Sequence, residues 1–550
     1  MNQLLNRMTR KPFLALELAV VSFFINILAL ATPFFFILVF NRYLTGGVDG
    51  TLITLTLGML MAVLLQFIFR GIRTRMAGEV GIQAGEALVW SVFDALSKAK
   101  MQALGRIKRS EIVQAAGGLQ VLQSAYSAPN VNSVLDMPYS FLFIGVIFLL
   151  NFQLGVVAAT GALLTLASAF FSMSRIKKST GMLQGVSTEN QLLINSALTN
   201  PETLRVFGET SRLADKWTGQ IKNILCLRRF NFNNEETSQS RLMAIALMTR
   251  ILIIALGARQ VVMGQLSIGA LIGVSVLASL PLAILAKFVR TLTLLKRARE
   301  IESTLKRFLA LPREKLSGSA LQFYSGGIAF NDLAFTYQGS KTPLFESLNL
   351  ELSPGQVLGV TGYNGSGKST LAKMIVGLLE PSRGRILVDG LELEQVSLEW
   401  WRKQIIYLPQ EPGFFPGSIR ENLMWANPDL DNESLNRVLL MTGMRRFLDS
   451  HPQGLELELD ESGKPLPLGI RRRLALTRAL TTDGQLAVLD EPAEGLDVEG
   501  CKMINKIIKT FSDQKKTIII FSSDPRLLME VGTVIDLGQK PVPAVMSRGQ

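Results

Sequence analysis

The chain has 550 residues, enough for two or more domains with separate cores. Hydrophobic residues make up 48% of it, which excludes a purely soluble protein of this size. Its +13 net charge would suit nucleic acid, but no recognition module accompanies it and no nucleic-acid partner is expected, while Cys226 and Cys501 offer neither a disulfide framework nor a paired metal spacing.

Apolar runs predict six membrane spans, at 13–40, 51–69, 138–153, 154–173, 243–263 and 267–289, with membrane lipid around them. The third and fourth are short and almost continuous. The first is too long for the core of a cleavable signal and carries on as a span. Arg7, Arg10 and Lys11 precede it; Arg70, Arg73 and Arg75 follow the second span, and Arg175, Lys177 and Lys178 the fourth. Lys287, Arg290, Lys296 and Arg297 close the sixth. The opposite connections, "NRYLTGGVDG", "NFQLG" and "ARQVVMGQLS", are short and nearly free of positive charge. This bias predicts a multi-pass protein with both termini in the cytoplasm. Arg250, inside "LMAIALMTRILIIALGA", is the one clear charge within a predicted span. A cation is costly in lipid, so it is expected to face a central cavity or a partner helix, as a contact for transported material or as half of a structural pair.

Two polar stretches of helical periodicity, including "EALVWSVFDALSKAKMQAL" and "NQLLINSALTNPETLRVFGE", separate spans two from three and four from five. Residues 1–300 therefore read as a membrane domain with helical extensions, 301–325 as a charged linker with Pro and Gly, and 326–550 as a second domain. In that second domain short β-rich runs alternate with helices, and "VLGVTG", "LAVLD" and "TIIIFS" predict buried parallel strands of an α/β fold.

"GYNGSGKST" matches G-x-x-x-x-G-K-[ST] over Gly362–Ser369, between the strand "QVLGV" and the helical "LAKMIVGLL". Gly362, Asn364, Gly365, Ser366 and Gly367 predict a loop whose N–H groups cradle a phosphate; Lys368 adds charge and Ser369 a hydroxyl for Mg²⁺, with Thr370 next in the helix. A chance glycine-rich turn would not come with strand, loop and helix in this order. "LAVLDEP" sets Asp490 at the end of a buried strand, where a carboxylate can hold the Mg²⁺ shell, and Glu491 beside it, where it can polarise a water.

On these motifs the chain resembles the ATP-binding cassette (ABC) transporters over essentially its whole length: a six-helix α transmembrane exporter domain followed by an α/β P-loop domain. The resemblance implies that Tyr337 in "LAFTY" stacks on adenine and that Gln410 in "YLPQEPGFFPGSIRENL" reaches Mg²⁺ and water. In "DEPAEGLD" it implies Asp490 as metal-side acid, Glu491 as catalytic base and Asp497 in a dimer-facing loop. Two such domains would sandwich two ATPs, each between the P-loop of one subunit and the signature loop of the other. "FFINILALATPFFFILVFNRYL" and "VLDMPYSFLFIGVIFLL" are similar to the first span and the Asp-x-Pro start of the third in type I protein-secretion ATPases of Gram-negative bacteria. That implies an inner-membrane exporter of protein or peptide cargo, with a periplasmic adaptor and an outer-membrane channel, and no peptidase domain ahead of the first span.

Two positions depart from the family pattern. Where a serine–glycine–glycine run is usual, the signature reads Leu466-Pro467-Leu468-Gly469-Ile470. Pro467 has no side-chain donor and no N–H, and Leu468 puts a branched side chain where close approach is wanted. Two lost donors would cost about 2–4 kcal/mol of transition-state stabilisation by analogy with oxyanion holes. Ser523 stands at the switch-histidine position, and the single histidine, His451, lies before the signature as a solvated loop residue. Ala493 and Glu494 also replace the usual Thr and Ser. The sequence leaves open a slow homodimer or a heterodimer with a second half-transporter, and it leaves open an ATP-binding regulatory half with little hydrolysis of its own.

Overall fold

In lipid a backbone must satisfy its own polar groups, so long apolar runs without turn residues fold as helix. The computed structural model describes residues 12–107, 109–337, 339–460, 463, 466–529 and 531–547. Arg7, Arg10 and Lys11 lie outside them. Two compact units emerge: one takes the chain up to Ser97 together with Gly105–Leu311, the other Lys98–Leu104 and everything from Pro312.

In the first unit, α1 (Pro12–Ala29) and α2 (Ala31–Leu38) lead into a π-helical turn at Val39–Tyr43. Then come α3 (Asp49–Ser97), α4 (Met101–Leu104, which belongs to the second unit), α5 (Arg109–Ala125), α6 (Ala128–Leu150) and α7 (Phe152–Thr199). They are followed by α8 (Pro201–Val206), α9 (Thr210–Val262), α10 (Ile268–Leu277) and α11 (Ser279–Leu309). Among the described residues, six stretches are long and apolar enough to cross a membrane. Helices α3, α7 and α9 extend roughly 70–80 Å at the usual rise, more than twice the thickness of hydrocarbon. The polar stretches thus continue the spans as helix.

One sequence expectation is corrected. The third span does not start at Pro138: α6 begins at Ala128, after Ser127 and with Pro129 in its first turn, and carries Pro138 internally. Proline is at home at a helix start, and the sequence held two such prolines. The helical periodicity of "EALVWSVFDALSKAKMQAL" is carried by two helices: α3 ends at Ser97, Ala99 bridges to Arg313, and α4 resumes at Met101. Residue 300, the expected end of the membrane domain, falls inside α11, whose helical character persists to Leu309.

Small residues bring the membrane helices together. A Cβ on Gly269 or Gly273 of α10 would lie 2.4 Å from Asn41 Oδ1 or 2.3 Å from Ile37 Cγ1, so α10 and α2 touch through a glycine stripe. Gly161 of α7 admits Thr249 of α9 in the same way. The polar centre is Arg73 on α3, which donates to both oxygens of Asp136 on α6 at 2.5 and 3.3 Å. From α1, Asn26 Nδ2 donates to Asp136 at 3.0 Å, and Ser22 Oγ accepts from Arg73 at 3.4 Å. Three helices are pinned by one nearly buried ion pair.

The second unit contains β1 (Ile328–Phe335), β2 (Phe345–Leu352), β3 (Val357–Thr361), α12 (Lys368–Ile375), β4 (Arg383–Val388) and β5 (Leu391–Glu392). After α13 (Leu398–Lys403) and β6 (Ile405–Leu408) come β7 (Gly417–Ser418), α14 (Ile419–Met424), α15 (Asn432–Met441), α16 (Met444–Ser450) and β8 (Glu458–Leu459). The chain closes with α17 (Leu468–Leu480), β9 (Leu486–Asp490), α18 (Val498–Asp513), β10 (Thr517–Phe521), β11 (Thr533–Asp536) and β12 (Ala544–Ser547). The main sheet has order β12-β11-β3-β10-β9-β6, parallel except for β12. Every residue of β9 and β10 is buried, as their unbroken apolar runs demand. A second, antiparallel sheet, β2-β1-β4-β5, shares with it a core around Trp401, whose Nε1 donates to Ile375 O at 2.9 Å. Lys98–Leu104 joins this unit through Lys100, which pairs with Glu380 at 2.5 Å and, by its N–H, with Pro312 O.

Asp136→Ala leaves the Arg73 guanidinium buried without its counter-charge, a loss of about 3–5 kcal/mol. We expect a lower unfolding midpoint for this variant in lipid, with Arg73→Met/Asp136→Leu closer to wild type. An unchanged midpoint for Asp136→Ala would show that the pair is solvated and pins nothing.

Candidate functional site

Parallel strands end with their carboxyl edges on one side of a sheet, and ligands gather in the crevice there. Here β3, β10 and β9 are adjacent, so the segments that follow them meet: Gly362–Gly367 after β3, Ser522–Ser523 after β10, and Glu491 after β9. From these segments Asn364–Gly367, Ser523 and Glu491 line a cleft of about 480 Å³ with Tyr337, Gln410 and Glu494.

The loop over Gly362–Gly367 needs glycine at its two ends. Gly362 has φ 146° and Gly367 φ 116°; a side chain on Gly362 would meet Ser366 Oγ at 2.5 Å, one on Gly367 would meet Leu344 at 2.9 Å. Asn364 and Gly365 are exposed at the cleft, whereas Ser366 is fully buried, its Oγ without a partner among the described residues. Lys368 opens α12, a helix whose positive end faces the loop. Its side chain is 8% exposed, and the ammonium donates to Gly362 O at 2.8 Å and to Ser523 Oγ at 2.9 Å and lies 3.5 Å from Glu491 Oε1.

Ser523, the residue in the switch position, also donates to Glu491 Oε1 at 2.9 Å, and its N–H donates to Oε2 at 3.3 Å. Glu491 holds a left-handed φ of 48°, a strained conformation for a residue with a Cβ. Asp490 is 1% exposed, and burial raises its carboxyl above the usual range. The Glu491 charge adds to that shift; the Ser369 hydroxyl, Lys373 and Lys368 oppose it. Asp490 Oδ1 has no partner among the described residues, and Ser369 Oγ donates to Gln410 Oε1 at 3.0 Å. A buried orphan carboxylate oxygen beside a hydroxyl and an amide oxygen is a set of hard donors that fits Mg²⁺. No cluster of three His, Cys, Asp or Glu able to hold a metal occurs among the described residues, so phosphate and water would supply most of such a shell.

Tyr337 is half-exposed, packs edge-on against Phe335 with centroids 4.9 Å apart, and shares a 2.8 Å hydrogen bond with Thr370 Oγ1. The signature residues begin α17. Leu466 is buried, and Pro467 caps the helix with no side-chain hydrogen bond. Leu468 is half-exposed against Gly495; a Cβ on Gly469 would make ordinary contact with Gly495 O at 3.8 Å, and Ile470 is partly buried. The first-turn N–H groups thus lie beside Gly469, an end able to attract an anion. Asp497 caps α18 by accepting from Gly500 N–H at 2.8 Å, and also accepts from Arg473 at 2.9 Å. Those two hydrogen bonds hold its carboxyl below the usual range, the first more strongly. His451 stands apart from the cleft, after α16, against Phe447. Arg250 is exposed on α9, next to buried Thr249.

Sequence reasoning missed two side chains of this region. Lys540 donates to the carbonyls of Ser366 and Leu344 and so steadies the phosphate loop; Arg472 donates to Glu491 O at 3.3 Å and to Glu494 Oε2 at 3.1 Å. Lys540 lies far along the chain with no motif to mark it, and Arg472 is hidden in a run of three arginines.

Two family descriptions match the chain: "ABC transporter" over residues 345–494 and "ABC transporter transmembrane region" over residues 16–285. Among relatives, the Toxin RTX-I translocation ATP-binding protein of Actinobacillus pleuropneumoniae is 25% identical over 541 residues, 96% of this chain and 76% of that protein. The leukotoxin translocation ATP-binding protein LktB of Mannheimia glucosida is 25% identical over 548 residues, with the same shares. A bacterial Atm1-family ABC exporter solved with ATP bound has the same fold, at TM-score 0.84 and 19% identity, covering 98% of this chain and 95% of that one.

Lys368→Ala removes a charge-assisted donor worth about 1.5–3 kcal/mol, so ATP affinity should fall by about tenfold or more. Ser523→Ala leaves Lys368 in place and should alter affinity by less than about threefold. Titration with a fluorescent ATP analogue separates the two; equal losses would mean that Ser523 itself binds the nucleotide.

Proposed function

Since the chain belongs to the ABC transporters, with a transmembrane part and an ATPase part, we propose that it is the ATP-driven subunit of a protein or peptide exporter in a bacterial inner membrane. The carrying observation is that a phosphate-loop ammonium and a carboxylate held by Ser523 share one cleft, Lys368 Nζ and Glu491 Oε1 being 3.5 Å apart. The loop N–H groups and Lys368 bind the β- and γ-phosphates, and the ring of Tyr337 receives the adenine. Ser369, Gln410 and Asp490 hold Mg²⁺, which when bound withdraws charge from the phosphates. As γ-phosphate arrives, Lys368 turns from Glu491 toward it, and Glu491, still held by Ser523, orients a water and accepts its proton. Gln410 and Asp497 act at the metal and at a dimer interface. A partner half-transporter, a second copy or a different chain, completes each site with its own signature loop. The relatives named for toxin and leukotoxin translocation support protein cargo, and with it a periplasmic adaptor and an outer-membrane channel.

A second reading has its own observation. Pro467 brings no donor and Leu468 no side-chain donor to the partner's nucleotide, which favours a regulatory half that binds ATP and hydrolyses little. ATP hydrolysis by the full chain in lipid, beside Glu491→Gln, separates the two. Turnover that vanishes in Glu491→Gln supports a working motor. ATP binding with no such turnover sinks that reading in favour of the regulatory one. In a working homodimer limited by its signature, Pro467→Ser, which restores a hydroxyl and an N–H and leaves Leu468 in place, should raise kcat by about a hundredfold; an unaltered kcat would show that "LPLGI" serves as it stands.

Arg250, a cation on the exposed side of a membrane-length helix, is our candidate for contact with cargo inside the cavity. Arg250→Leu should reduce export and leave ATP binding alone. Unchanged export with unchanged stability would remove this role.

A further inference from the structure

We propose that Arg472 and Glu494 are positioning residues: a charge pair that holds the base Glu491 in place and ties it to the signature helix of its own chain. The inference rests on the hydrolytic reading above. Glu494 stands where the family pattern has serine, and Arg472 lies in the second turn of α17.

The geometry is a fork. Arg472 NH2 donates to Glu494 Oε2 at 3.1 Å and NH1 to the main-chain oxygen of Glu491 at 3.3 Å. Its side chain is 14% exposed, so the guanidinium acts in a poorly hydrated place. The carbonyl it grips belongs to the residue held at φ 48°. A left-handed backbone at a side chain with a Cβ persists only where neighbours over-determine it. Arg472 shares that carbonyl with the Glu494 N–H, which donates to it at 3.2 Å, and the Glu491 N–H, which donates to Phe521 O at 2.8 Å, fastens the other side of the residue. With both ends of the Glu491 peptide fixed, its carboxylate is directed at Ser523 and Lys368.

Neighbouring contacts widen the tie. Leu468, one turn before Arg472 on the same face of α17, packs on Gly495: a Cβ there would lie 3.3 Å from Leu468 Cδ2 and 3.5 Å from Arg472 Nε. Arg473 donates to Asp497. Glu494 Oε2 also takes a long 3.5 Å contact from Gln410 Nε2, the amide whose oxygen accepts from Ser369. Leu468 is therefore not only a lost donor of the signature; it is part of the surface that seats the base's loop.

The test uses the full chain in lipid nanodiscs: ATP turnover, ATP affinity, and amide hydrogen exchange over residues 491–497 for Arg472→Gln, Glu494→Gln, their double variant and Arg472→Lys. A misdirected base predicts kcat lower by about tenfold or more in each Gln variant with KM for ATP within about threefold. The double variant should be no worse than Arg472→Gln alone, since both break one unit. Exchange in 491–497 should rise in the Gln variants. Arg472→Lys, which keeps the charge but not the fork, should lie between Arg472→Gln and wild type and guards against a misfolded Gln variant. Wild-type kcat in the Gln variants, losses that multiply in the double, or a fall in kcat matched by lost ATP affinity would each overturn the proposal. A wild-type chain without Glu491-dependent turnover would sink the hydrolytic reading itself, and the positioning role with it, even if exchange still reported the tie.

Discussion

An ammonium taken almost out of water must be surrounded by acceptors, and that requirement on Lys368 organises the ATPase part. Its partners come from three places: the Gly362 carbonyl, the Ser523 hydroxyl and the Glu491 carboxylate. They can converge only because β3, β10 and β9 are neighbours in one parallel sheet with their ends level. The buried apolar strands thus have a chemical result. They deliver a cation, a carboxylate and a hydroxyl to one point and leave a carboxylate oxygen of Asp490 beside it, unspent. In this arrangement the charges of Lys368 and Glu491 face each other, so an anion bound at the ammonium would have to take the place of Glu491.

The serine in the switch position fits this scheme in its own way. A histidine would bring reach and charge; Ser523 brings a hydroxyl that accepts from Lys368 and donates to Glu491 at the same time. The altered signature helix shows a parallel shift of duty. Its first turn has lost donors directed outward, while Leu468, Arg472 and Arg473 hold the loop after β9 from within the same chain. A sequence pattern that reads as decay when compared with a motif has contacts of its own.

What was legible followed from strong local physics. The phosphate loop carries two glycines that nothing else could replace, β9 and β10 are unbroken apolar runs, and the spans are set by hydrocarbon thickness. The resemblance of "LPLGI" to a signature located the start of α17 but said nothing of what Leu468 touches. The side chains that escaped, Lys540, Arg472 and the Arg73–Asp136 pair, act on partners distant in sequence or on main-chain oxygens, and neither leaves a periodic trace. Arg73 was read as a flanking charge because a cation after an apolar run ordinarily reaches water. Here the partner carboxylate sits in "VLDMP", on a different helix. The start of α6 was missed for a simpler reason: Pro129 and Pro138 make competing helix-start signals, and hydropathy favoured the later one.

The second unit is not a continuous stretch of chain. Lys98–Leu104 lies between α3 and α5 in sequence, yet it is fastened to Glu380, Pro312 and Arg313. A cut at the Leu311–Pro312 boundary would therefore not release a whole unit. The carboxy-terminal piece would carry Glu380 without its lysine and the Pro312 carbonyl without its donor, while the segment that supplies both stayed with the membrane helices. Autonomy of the ATPase part, as a module to be expressed, swapped or grafted, ends at that borrowed seam.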